Sequence, residues 1–147
     1  MDVNKRIQIL EQKLITPENF SVKEYLNFGT YSVLSENSRL LILKDFEKLS
    51  KAEQQRRLSI LFAIQPYRTK IGIPMFITCG YRSYAHELRK GRKGGSRHLL
   101  DAIDFTCLET QGLNKYASVL NSNWYGGFKH YANKRFIHLD KGEKRTW

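Results

Sequence analysis

SRHLLDAIDF, residues 96–105, and RFIHLD, residues 135–140, are two short apolar segments that each carry histidine and aspartate. Apolar runs of this length, rich in Ile, Leu and Phe, predict strands at about 101–107 and 135–140. Side chains two apart on a strand share a face, so His138 and Asp140 are expected to point into one cleft. His98 and Asp104 lie six positions apart, and LLDAI between them can turn so that both converge on one ion. Asp101 competes for the same role, but its neighbours Ala102 and Ile103 mark Asp104 as the start of the buried run. Two imidazoles and a carboxylate are the donor set of a catalytic zinc, because three protein ligands leave a fourth position open. The spacing thus points to a metal site at His98, Asp104 and His138, and to hydrolysis as the first functional hypothesis. His86 and His130 have no carboxylate so placed.

Upstream, Met75 to Cys79 is a further β-forming run, punctuated by Gly80. Ser83 is placed to cap a short helix, YAHELRK, and GRKGGS, residues 91–96, reads as a basic loop. Downstream, a helix is predicted around Leu113 to Leu120, and Trp124 to Phe128 reads as a strand. The N-terminal half is helical in pattern. Val3, Ile7, Leu10 and Leu14 fall on one helical face behind Asp2, and Ser21 with Glu24 forms a capping box for a second, short helix. Residues 29–38 read as loop, and Arg39 to Lys70 as one or two helices with a break at Ser50 or Ala52. Pro66 should kink the last of these before Gly72 and Pro74 end it. Helices first and strands last predict an α+β fold with a small, mostly antiparallel sheet.

The chain has 147 residues, enough for one domain that buries about two thirds of its unfolded surface. Residues 1–17 are expected to add an extra N-terminal helix to it. Lys+Arg 25 against Asp+Glu 14 gives a net charge of +11, which should draw the protein to a polyanion. No helix-turn-helix, zinc-finger spacing or RNA-binding signature accompanies that charge, so a basic nucleic-acid-binding protein is the third-ranked reading. The only cysteines, Cys79 and Cys107, form no CxxC pair and read as small core residues. Neither a signal-peptide h-region nor a run of about 18 apolar residues is seen, so the expectation is cytoplasmic synthesis without a membrane span.

Several motifs in order resemble one family. They are SVKEYL at 21–26, IQPYRTKIGIPMFITCGYRS at 64–83, GGSRHLLDAIDF at 94–105 and YGGFKHYANKRFIHLDKGEKRTW at 125–147. Together they are similar to the zinc D-alanyl-D-alanine carboxypeptidases, the VanX- and VanY-type enzymes and phage endolysins, with the small phage-type branch nearest. The resemblance spans Asn19 to Trp147. It implies a hedgehog/DD-peptidase fold, one zinc on His98, Asp104 and His138, and Arg82 facing the active site to bind substrate or stabilise the transition state. Ser96 matches the family serine that bonds substrate or the ligand loop, and Tyr81 and Tyr131 are expected in the pocket wall. Two departures stand out. The interval HLLDAID is one residue shorter than the family's and lacks its glycine, and Arg135 stands where several members carry the general base. Asp140 is then the remaining carboxylate, either as base or as the partner that orients a ligand histidine.

The resemblance therefore implies a zinc-dependent peptidase of peptidoglycan stem peptides, acting as a D,D- or L,D-carboxypeptidase or endopeptidase and serving as a phage lysin. Its basic surface would hold it near the polyanionic bacterial wall. The alternative is a non-catalytic zinc or cell-wall-binding module on the same fold.

Overall fold

Short polar side chains start the helices. Asp2, Ser21, Ser35, Ser50 and Ser83 each accept a hydrogen bond from the backbone N–H three residues on, satisfying a donor that the first turn leaves unpaired. Each cap contributes about 1 kcal/mol. The helices so begun are α1 (Val3–Lys13), α2 (Val22–Tyr25), α3 (Glu36–Glu47), α4 (Lys51–Arg57) and, later in the chain, α6 (Tyr84–Arg89). Between them, α5 (Ser59–Ile71) carries Pro66 and ends at Gly72, whose φ of 76° is the left-handed stop that glycine adopts freely. The computed structural model describes residues 1–93 and 95–147, so the predicted loop at 91–96 lies partly outside the described residues at Gly94.

The helical pattern predicted from 39 to 70 is three helices rather than one or two, and the loop at 29–38 ends sooner, because Ser35 and Ser50 both act as caps. The helix predicted at 113–120 is longer as well, and forms α7 (Thr110–Asn123). Among the described residues, no helix is long and apolar enough to cross a membrane.

Five strands form one sheet in the order β1-β2-β4-β3-β5: β1 (Phe76–Cys79), β2 (Ala102–Thr106), β3 (Gly127–Tyr131), β4 (Phe136–Asp140) and β5 (Arg145–Thr146). The first four pair antiparallel, and β5 runs parallel to β3. The α+β class with a mostly antiparallel sheet is therefore present, closed by one parallel edge strand. Trp124 to Gly126 stand outside β3. Trp124 instead caps α7, is buried, and donates its indole N–H to the Asp140 carbonyl at 3.0 Å.

One face of the sheet carries Ile77, Ile103, Phe105, Ile137 and Leu139, which join Tyr25, Phe46, Leu61, Ile64 and Tyr116 of the helices in a single buried cluster. Each such side chain contributes about 1.5–3 kcal/mol by leaving water. Strand alternation sends the intervening residues to the opposite face. That face holds the polar site.

Candidate metal centre

Asp104 on β2 lies opposite Cys79 of β1 and opposite His138 of β4. Directly opposed residues share a face, so the register alone lines up three donor side chains across three strands. His98 comes from outside the sheet, on the 3-10 turn Arg97–Leu99 that Ser96 caps by accepting the His98 N–H at 3.1 Å. The structure thus brings together His98, Asp104 and His138. Asp104 Oδ1 sits 3.2 Å from His98 Nε2 and 2.9 Å from His138 Nδ1. Asp101 faces away and pairs with Arg97. His130 lies opposite Ile137 on the other face, and buried His86 lies on α6 beside Glu87.

The tautomers follow from the partners. His98 Nδ1 is 2.7 Å from the Gly80 carbonyl, which can only accept, so this nitrogen carries the proton. His138 Nε2 is 2.8 Å from Oδ2 of Asp140, a fully buried carboxylate held by Arg145, so it too is the protonated nitrogen. Each neutral ring then aims a lone pair at the Asp104 carboxylate. Three acceptors around one point repel unless a cation occupies it, whether protons on the imidazoles or a metal ion.

The acid–base balance expresses the same demand. Burial opposes an imidazolium at His98, but Cys79 and Asp104 outweigh it and raise its pKa to about 10. His138 is also raised, with burial overcome by Asp104 and Asp140. Burial would push the Asp104 carboxyl up, yet the two histidines hold it well below the usual carboxylate range. A divalent ion would satisfy all three donors without those protons. The far nitrogen of each ring is anchored to a carbonyl or carboxylate, the arrangement that orients histidine for a metal. The residues therefore fit a zinc ion.

Gly80 is itself fixed from the helical half. Asn27, buried with a φ of 72° just after α2, accepts the Gly80 N–H at 2.7 Å and donates to the Tyr81 carbonyl at 2.7 Å. Tyr81 N–H donates to the Tyr25 carbonyl at 2.9 Å. The approach is so close that a Cβ on residue 80 would collide with the Tyr25 backbone, so only glycine fits.

Asp140 is surrounded on all sides. Oδ1 accepts from Gly127 N (3.2 Å), Gly142 N (2.9 Å) and Arg145 Nη1 (3.0 Å), while Oδ2 meets His138 and Arg145 Nη2 (2.7 Å). Burial opposes its charge, but His138 and Arg145 prevail and hold it well below the usual range. Gly127 leaves room for this cluster, since a Cβ there would press on Asp140 and Arg145. Arg145 arrives through β5, whose pairing with Gly127 gave no signal in the short charged tail.

A cleft of about 300 Å³ opens over the ligands, walled by Arg82, Arg97, Arg145, Tyr131, Phe136 and Trp147. Arg82 donates to Ser96 Oγ at 2.9 Å and faces buried Glu87 at 3.7 Å, so its guanidinium is held from two sides. Tyr131 OH accepts from Trp147 Nε1 at 3.1 Å. Tyr81, expected in the wall beside Tyr131, is instead turned into the core against Phe46 and Tyr25, because its backbone is tied to α2. Arg135 points away from the cleft and donates to the Cys107 and Leu108 carbonyls.

Sequence reasoning missed Cys79. It is buried, as expected, but its sulfur lies with the donor atoms of His98 and Asp104, all within 4.8 Å of one another. Normal alternation from the Ile77–Phe105 pair would set Thr78 opposite Asp104, and a bulge between Ile77 and Cys79 replaces it with Cys79. A family model described as Peptidase M15 matches residues 41–140, which include all of these donors. No curated protein matches the chain.

Proposed function

The chain belongs to the peptidase M15 family, a zinc-dependent family, and on that premise we propose that it hydrolyses peptidoglycan stem peptides, as a D,D- or L,D-carboxypeptidase or an endopeptidase. The observation that carries this reading is the convergence of two imidazole lone pairs and a carboxylate on one point beneath an open cationic cleft. His98, Asp104 and His138 would hold the ion. When bound, zinc supplies Lewis acidity, polarising a carbonyl and lowering the pKa of water.

The residues of the chain would do the rest. The fixed guanidinium of Arg82, with Arg97 and Arg145 around the same cleft, suits the terminal carboxylate of a stem peptide or the negative charge that develops on its scissile carbonyl. Ser96 holds both Arg82 and the His98 turn, which makes it a positioning residue. Tyr131 and Trp147 offer apolar faces for the methyl groups and backbone of a short peptide. Of the two roles considered for Asp140, orientation of His138 is the better supported, since both oxygens are engaged and the group is fully buried. A net charge of +11 would keep the protein near the polyanionic wall, as a phage lysin requires.

One observation favours a second reading. Among the described residues lining the cleft, Asp104 is the only carboxylate, so no free base stands beside the ligands. A zinc-holding wall-binding module without turnover would have that composition.

The test is mass spectrometry of fragments after purified peptidoglycan is incubated with the protein, with and without chelator. Release of D-alanine or cleaved cross-links, abolished by chelator and by His98→Ala, supports the peptidase. Stoichiometric zinc and wall binding without any new fragment would favour the module.

A further inference from the structure

We propose that Glu87 is a positioning residue of the cleft, a buried carboxylate that aims the Arg82 guanidinium at the substrate and is itself held by Arg92 of the basic loop. The inference rests on the peptidase reading above and deepens it with a residue that touches neither ion nor substrate.

Burial of this carboxylate needs a reason. Ser83, next to Arg82 in the chain, caps α6, and the first turn of that helix brings Glu87 back beside the arginine. The Glu87 side chain is fully buried, where an apolar residue of similar volume would pack as well or better, since a charge taken out of water must be paired to be tolerated. His86 Nδ1 lies 3.5 Å from Oε2, but burial lowers the pKa of this imidazole, so the ring is neutral and supplies no counter-charge. Two arginines supply it instead. Arg92 donates Nη1 to Oε2 at 2.7 Å and its backbone N–H to the Glu87 carbonyl at 2.8 Å, while Arg82 Nε faces Oε1 at 3.7 Å.

That last contact is unfinished. Arg82 Nε and Glu87 Oε1 are both buried, and neither has a hydrogen-bond partner among the described residues. A donor and an acceptor so placed satisfy one another through a movement of under about 1 Å, which brings them to ordinary hydrogen-bond distance. The arginine is already tied elsewhere: Nη2 donates to Ser96 Oγ at 2.9 Å, and the backbone N–H donates to the His98 carbonyl at 3.0 Å. With Nε drawn to Glu87 and Nη2 to Ser96, the plane of the fork is set, and the guanidinium lines the cleft with 19 % of the side chain exposed. Holding that plane matters because paired N–H bonds to a carboxylate or oxyanion form in one orientation only. Arg92 shortly precedes Gly95 and Ser96 of the cleft wall, so Glu87 also fastens this loop to the arginine it steers.

Glu87→Gln keeps the size and an acceptor but removes the charge, and its effect is compared in two backgrounds. Turnover of a stem peptide and zinc affinity are measured for the wild type, Glu87→Gln, Arg82→Lys and the double variant. The proposal requires kcat/KM to fall by about tenfold or more in the wild-type background but by less than about threefold beside Arg82→Lys, since a lysine has no planar fork to align. Zinc affinity must stay within about twofold throughout, because neither residue touches the ion. Equal losses in the two backgrounds would make Glu87 a structural residue only and overturn the positioning role. Should the amide variant fail to fold, as judged by circular dichroism, Glu87→Asp takes its place under the same criteria, keeping the charge but withdrawing it from Arg82. A second readout needs no turnover. In heteronuclear NMR spectra of the labelled wild type, the Arg82 Nε–H signal, assigned by its loss in Arg82→Lys, must be protected from exchange and coupled across the hydrogen bond to the Glu87 carboxyl carbon. Absence of that coupling overturns the proposal whether or not the peptide is cut. Its presence in a protein that cuts no stem peptide would sink the peptidase reading and still support Glu87 as the group that aims Arg82 into the cleft.

Discussion

Replacing Asp140 by Asn separates the two roles open to this carboxylate. The variant keeps an oxygen to accept from Gly127 and Gly142 but loses the charge shared by Arg145 and His138. Breaking a buried ion pair costs about 3–5 kcal/mol. The Arg145 side chain is 42 % exposed and can turn to water, so about 2–3 kcal/mol is the appropriate figure, after discounting for solvent. For a chain of this length that lowers the melting temperature of the metal-free protein by about 4–12 °C. The larger consequence falls on the metal. An amide N–H₂ turned toward His138 Nε2 makes that nitrogen an acceptor, moves the ring proton to Nδ1, and removes the lone pair aimed at Asp104. Loss of such an orienting partner costs roughly 10–100-fold in metal affinity. Competition titration with a chromophoric zinc chelator measures it directly. Zinc affinity within threefold of wild type would refute the orienting role, and turnover lost at unchanged affinity would assign proton transfer to Asp140 instead.

Gly80→Ala should destabilise the protein by about 3 kcal/mol, since its Cβ meets the immovable Tyr25 backbone, and chemical denaturation should show it. Saturating zinc at about a thousand times its Kd should raise stability by about 4 kcal/mol, an upshift in melting temperature that chelator reverses. Arg82→Lys keeps the charge but not the planar fork, and should cut kcat/KM on a stem peptide by about 10²-fold or more with zinc affinity unchanged. Burial pushes the Cys107 thiol from 9.0 up to about 11, so folding favours its neutral form. The resulting stabilisation is complete below pH 9 and is lost as pH rises through about 11. At pH 8 its alkylation by iodoacetamide, read by peptide mass spectrometry, should be about 100-fold slower in the folded than in the urea-unfolded chain.

What the sequence made legible is what is local. The caps at Asp2, Ser21 and Ser83 act within one turn, and the strand carrying His138 and Asp140 is marked by its own alternation. Placement of His98 and Asp104 needed only a short turn, despite the shortened interval. What escaped reading is non-local. Cys79 comes to stand opposite Asp104 through a bulge defined against a partner strand, Arg145 reaches Asp140 through a two-residue strand, and Tyr81 is drawn inward by a backbone bond to Tyr25. Each depends on pairing between distant segments, on which residue periodicity is silent.

The contact between Asn27 and Gly80 bears on how the protein can be cut and reused. Every donor lies within residues 41–140, which makes that segment look like a portable module. Yet the carbonyl that sets the His98 ring is clamped by a side chain 53 positions upstream, and the arginine that steadies Asp140 lies beyond the other boundary. A graft of the matched segment would carry the ligands and leave their alignment behind, so the transplantable unit reaches at least from the end of α2 to β5.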